Sequence, residues 1–150
     1  MKKTILPFAL LALSLIACDP CRNLDCLAST DYRFFRLVSA TGGQDLLFGN
    51  SRLYRPEELK FYSVANGDTT YYPQRAEKPY VPGMDSALFV SFRPVPATAY
   101  LRLPNGDVDT FAISSRSYNT RCCGQITEIT DFRINGLNSQ PVQGVQTLQK

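Results

Sequence analysis

The chain predicts an all-β domain, an antiparallel β-sandwich of immunoglobulin- or transthyretin-like kind, with a small β-barrel as the alternative. Three observations carry this expectation. Nine Phe and eight Tyr stand among ten Pro and nine Gly in 150 residues, and aromatic residues broken by turn formers favour strands over helices. Apolar residues alternate with a period of two in several short stretches. No helical apolar period persists beyond two turns.

The strands follow in order. Residues 32–39 read as a first strand, and Thr41-Gly42-Gly43-Gln44 as a turn into a second at 45–49. Residues 58–64 and 69–72 make a hairpin across Asn66-Gly67-Asp68. In 86–93, Leu88, Val90 and Phe92 share one face. In 99–103, Ala99, Leu101 and Leu103 point inward, and Asn105-Gly106 leads into 108–113. Asn-Gly supplies the positive φ angles of a tight hairpin turn. The last long strand is 125–134, where Ile126, Phe132 and Ile134 are in phase and Ile129 is not, which predicts a bulge near Ile129. The tail 138–150 is rich in Gln and poor in apolar residues, and is expected to stay disordered.

Ahead of this domain, Lys2 and Lys3 precede an apolar run of 13 residues, Ile5–Ala17. A spanning helix needs about 20 residues, so the run suits the core of a signal peptide instead. It closes on Leu15-Ile16-Ala17-Cys18, which resembles the lipobox of bacterial lipoproteins. That resemblance implies cleavage before Cys18 and acylation of Cys18, with residues 1–17 as leader, 18–29 as a lipid-anchored stalk and 30–137 as the sandwich domain. Two or three acyl chains hold a protein firmly to a membrane, whereas one gives marginal binding. Asp19 follows Cys18. In enteric-type lipoproteins an aspartate there implies the inner membrane; in Bacteroidetes-type lipoproteins it does not, and the outer membrane is the expected place, at its periplasmic face or at the surface.

Losing the leader removes two of sixteen basic residues, against thirteen acidic ones. The near-balance offers no electrostatic case for nucleic acid. No His is present, which excludes Ser-His-Asp and Cys-His catalysis and His-containing zinc sites. No metal or cofactor is expected. Cys21, Cys26, Cys122 and Cys123 remain after Cys18, an even count that predicts disulfides in an exported domain. Adjacent Cα atoms lie about 3.8 Å apart, too close for an ordinary bridge. This favours both stalk cysteines bonding to Cys122 and Cys123, in either order; a local Cys21–Cys26 bridge is the alternative.

Candidate chemistry is sparse. Asp107 and Asp109 flank Val108 after a turn, with too few oxygen ligands nearby for calcium, and read as turn and solvent-facing residues. Glu57 and Glu58 are chain neighbours that point apart on an extended backbone, a poor acid–base pair. Tyr62, Tyr71, Tyr72 and Tyr80 are candidates for a glycan- or peptide-stacking surface, with cross-strand packing as the competing role.

Gly43-Gln44-Asp45-Leu46-Leu47-Phe48, Glu58-Leu59-Lys60-Phe61-Tyr62, and Cys122-Cys123-Gly124 leading to Ile134-Asn135-Gly136 make the domain similar to small Bacteroidetes-type lipoproteins. The resemblance implies an envelope location and no activity. It also implies that Asp68-Thr69-Thr70 and Asp85-Ser86-Ala87 match a short O-glycosylation pattern. The expected function is therefore a lipid-anchored, non-catalytic binding or assembly module, contacting the membrane through Cys18 and an envelope protein or glycan through the domain. A carboxylate-based hydrolase and a carrier of an apolar ligand are the alternatives.

Overall fold

The computed structural model describes Cys21 and residues 31–50, 52–137 and 144–150. The leader, the lipobox, Cys18, Cys26 and the rest of the expected stalk lie outside the described residues. The strands are β1 (Tyr32–Val38), β2 (Lys60–Ala65), β3 (Asp68–Tyr72), β4 (Gln74–Glu77), β5 (Ala87–Ser91), β6 (Thr98–Arg102), β7 (Val108–Thr120), β8 (Gly124–Ile134) and β9 (Val145–Gln149). They form two sheets, β4-β5-β1-β9 and β3-β2-β6-β7-β8. The pairs are antiparallel except β1–β9, which is parallel. The protein is thus a β-sandwich, and the alternative barrel does not form: the two sheets stay open and pack face to face.

Alternation explains the packing. Phe35 and Leu37 of β1, Leu88 and Val90 of β5, Leu101 of β6, Phe111 and Ile113 of β7 and Phe132 of β8 are buried between the sheets. Phe35, Phe61, Phe92, Phe111 and Phe132 touch one another, with ring centres 5.0 Å apart for Phe35–Phe61 and 5.4 Å for Phe111–Phe132. The expected bulge is present: Ser114 pairs with Asp131 and Ser115 with Ile129, so Thr130 is the extra residue. It turns Ile129 back into the core, fully buried. In the β2–β3 turn Asn66 and Gly67 both have positive φ, 53° and 89°, as a two-residue hairpin turn requires. The β6–β7 connection is longer than its Asn-Gly pair suggested, running from Leu103 to Asp107 with Gly106 at φ 90°.

Several expectations need correction. Residues 45–49 do not form a strand; Asp45 makes one isolated bridge to Val38, and its Oδ1 accepts the backbone N–H groups of Leu47 and Phe48 at 2.9 Å, which curls the chain. β4 was not anticipated, because its Gln-Arg-Ala-Glu sequence has no apolar alternation. β7 runs seven residues past Ile113, through side chains that are exposed or half-exposed on both faces. The tail is not disordered over its last part: β9 pairs along β1 from Phe34–Val145 to Val38–Gln149 and buries Gln146 and Leu148. Residues 138–143 lie outside the described residues.

Lys150 fastens β9 to the opposite sheet. Its Nζ donates to Asp109 Oδ1 at 2.6 Å and to Asp107 Oδ2 at 2.7 Å, while its backbone N–H donates to the Val38 carbonyl. Asp109 is therefore not solvent-facing as anticipated; it is 1% exposed and also accepts a bond from Asn135 Nδ2 at 2.7 Å. The hydrogen bond from Lys150 holds the Asp107 carboxyl below its ordinary range. Burial pulls the Lys150 ammonium down, but its bonds to Asp107 and Asp109 outweigh this and leave it raised.

Two outcomes are expected. Leu148→Ala lowers stability in urea unfolding by about 2–5 kcal/mol, the range for a buried Leu, rather than the few tenths of a residue in an unpacked tail. A lowered carboxyl contributes stability above its unfolded value and loses it as pH falls; a raised ammonium contributes below its unfolded value and loses it as pH rises. The urea midpoint of the wild type therefore exceeds that of Lys150→Gln most between about pH 4 and pH 10, and the difference shrinks on both sides.

Candidate functional site

The outer face of β4-β5-β1 carries the most distinctive surface. Because β1 alternates, burying Phe35 turns Tyr32 and Phe34 outward. Register then builds a row across the sheet: Arg75 of β4 faces Phe89 of β5, Phe89 faces Phe34, and Phe34 faces Val145 of β9. Tyr32 stacks on Phe89 with ring centres 5.1 Å apart, and Phe34 meets the two rings edge-on at 5.8 and 5.6 Å. The Arg75 guanidinium lies 4.2 Å from the Phe89 ring centre, within cation–π range. The Lys78-Pro79-Tyr80 loop walls one side, with Tyr80 fully exposed. Tyr32, Phe34, Arg75, Lys78, Tyr80 and Phe89 line an open groove of about 760 Å³.

Its charges are matched. Arg75 pairs with Glu77 at 2.7 Å, Arg93 with Asp31 at 2.6 Å, and Lys78 with Asp85 at 3.2 Å. Arg75–Glu77 and Lys78–Asp85 are exposed pairs that contribute about 0–1 kcal/mol each, so their polar groups are available to re-pair with a ligand, whereas the Asp31 carboxylate is buried beneath an exposed Arg93. Beneath the groove, Arg33 points into the sandwich, donating from Nη1 to the Tyr32 carbonyl at 2.6 Å with its guanidinium 5.7 Å from the Phe132 ring centre. Burial pushes this guanidinium down to about 10, so it stays charged at neutral pH.

The four tyrosines singled out from the sequence do not form one surface. Tyr72 is in the core, 5% exposed, against Phe92 and hydrogen-bonded to the buried Ser63 hydroxyl at 2.8 Å. Tyr62 and Tyr71 lie on the outer face of the five-stranded sheet, where Tyr62 packs against Tyr71 at 6.1 Å and stacks on Tyr100 at 5.2 Å. Tyr80 alone belongs to the groove. Tyr32, Phe34, Phe89 and Arg75 were missed, although a signal exists: aromatics at the outward positions of strands whose inward positions already hold the core.

The geometry also bears on chemistry. Asp31 and Asp109 are the buried carboxylates among the described residues. Asp31 adjoins the start of β1, whereas the Asp109–Lys150 pair sits beside Val38 at its end, about 23 Å away at 3.3 Å per residue. Carboxyl pairs of glycosidases lie about 5–10 Å apart. Among the described residues no cluster of three His, Cys, Asp or Glu side chains is placed to hold a metal ion.

A disulfide joins Cys21 to the tip of the β7–β8 hairpin. Cys21 bonds Cys122, with Cα atoms 5.3 Å apart, one of the two orders expected. Cys123 is disulfide-bonded as well.

The two neighbouring tyrosines separate by burial. Tyr72→Ala costs about 3–5 kcal/mol in denaturant unfolding, as for a large core aromatic, whereas Tyr71→Ala stays within about 1 kcal/mol.

No family model, curated protein or solved structure matches the chain.

Proposed function

We propose that this protein is a lipid-anchored, non-catalytic binding module of the cell envelope, held by acyl chains on Cys18, and that the groove over β4-β5-β1 takes an uncharged glycan. The aromatic row Phe34–Phe89–Tyr32, half-exposed on an outer sheet face, carries this reading. Sugar rings present flat C–H faces that pack on aromatic rings, and hydroxyls that bond to charged side chains. The matched pairs Arg75–Glu77 and Arg93–Asp31 offer donors and acceptors side by side without a net field, which suits a neutral ligand better than an anionic one. The lipobox Leu15-Ile16-Ala17-Cys18 supports the anchor.

Titration calorimetry with neutral envelope oligosaccharides tests the groove. Phe89→Ala and Tyr32→Ala are each expected to weaken binding about two- to twelvefold, since a lost ring contact is worth about 0.5–1.5 kcal/mol. Tyr71→Ala, on the other sheet, leaves affinity unchanged. Equal loss from all three variants, or no binding by the wild type, overturns the assignment.

A further inference from the structure

We propose that the tip of the β7–β8 hairpin is the membrane-contacting surface of this protein, so that the sandwich stands on the bilayer with the Asp107–Lys150 pole pointing away. The inference rests on the acylation of Cys18 and adds to it an orientation.

The first support is tether length. Three chain steps separate Cys18 from Cys21, at most about 11 Å. Cys21 is bonded to Cys122, 5.3 Å away between Cα atoms, and Cys123 is bonded too. An acylated Cys18 therefore sits within about 16 Å of the hairpin tip. The far end of β7, at Val108, is twelve residue steps from Thr120, about 40 Å at 3.3 Å per residue. So short a tether cannot bring the Val108 pole to the headgroups while the tip stays away.

The second support is the shape of the hairpin. Ser114–Asn119 are exposed on both faces of β7, so this part of the ribbon extends beyond the core. The bulge at Thr130 marks where it leaves the sandwich. β7 is solvated on both faces there and its partner residues Ile126–Glu128 of β8 are only half-buried, so the ribbon contributes little to core burial, and Cys122 at its tip ties it to Cys21 instead. The start of β1 shares this pole, because Asp31 and Arg93 line a groove jointly with Cys123 and Gln125.

The third support is chemistry. The tip presents Arg121 and Tyr118, the latter 44% exposed, among Ser, Thr and Asn side chains. Arg and Tyr are favoured at the membrane–water interface. Ile126, opposite Tyr118, is half-buried, and among the described residues no other large apolar side chain stands beside them, so the tip rests at headgroup level and does not penetrate the acyl chains.

The chain contains no Trp, so single tryptophans are clean reporters. Tyr118→Trp and Val108→Trp both replace exposed side chains. Each full chain is produced in a bacterium that acylates lipoproteins and purified without reductant. It is then reconstituted in phosphatidylethanolamine–phosphatidylglycerol vesicles carrying a headgroup spin label. Quenching at position 118 is expected to exceed that at position 108 at least threefold, and a label deep in the acyl chains is expected to quench neither. Intact mass on the same samples separates the two claims. Acylated protein with equal quenching at both positions, or more at 108, overturns the orientation and leaves the anchor standing. Protein that carries no acyl mass overturns both.

Discussion

The packing of five phenylalanines between the sheets is the constraint on which the rest of the structure depends. Phe35, Phe61, Phe92, Phe111 and Phe132 come from five segments of the chain and are all fully buried or nearly so. Phe35 touches the other four, with ring centres between 5.0 and 6.4 Å. Each ring brings a large apolar area and a geometric preference for offset or edge-on contact. The cluster thus sets both the spacing of the sheets and the phase of every strand that contributes to it. Once Phe35 faces inward, Tyr32 and Phe34 have no choice but to face outward, and the groove follows from the same alternation that builds the core.

Two fastenings act at opposite poles of this core. At one, the Cys21–Cys122 bridge closes a loop of 101 residues, which in the chain-entropy model stabilises the fold by about 4.7 kcal/mol. At the other, Lys150 reaches from β9 to Asp107 and Asp109 of the opposite segment and sheet. A buried ion pair gains little net stability over an apolar replacement, because desolvation offsets most of its attraction. Its effect here is one of register: an Asp109 left without its ammonium is an uncompensated buried charge, so β9 is held to the alignment that keeps Lys150 beside it. A short parallel edge strand with only two buried side chains would otherwise have little to define its position.

The proposed orientation and the proposed ligand face are geometrically linked. Asp31 and Arg93 line the aromatic groove and also the smaller one beside Cys123, so the aromatic groove has one end at the pole that carries the Cys21–Cys122 disulfide. In that arrangement a glycan held by Tyr32, Phe34 and Phe89 lies beside the sandwich, near the bilayer, while the Asn105-Gly106 turn and Lys150 lie farthest from it.

The sandwich class, the Asn66-Gly67 hairpin, the inward faces of the 86–93 and 99–103 stretches and the bulge beside Ile129 were all legible in the order of the residues. So was the bonding of Cys21 to Cys122, one of the two orders left open by the crowding of adjacent cysteines. These are local properties, set by turn chemistry, by alternation or by the length of a single peptide unit. The burial of Tyr72 beside an exposed Tyr71, the pairing of Lys150 with a carboxylate 41 residues away, the strands β4 and β9, and the meeting of Tyr32, Phe34 and Phe89 were decided only in the tertiary structure. Alternation says that two neighbours face opposite ways, but which of them faces the core depends on the strand laid alongside. That pairing is made by residues distant in the chain, so no short stretch carries it.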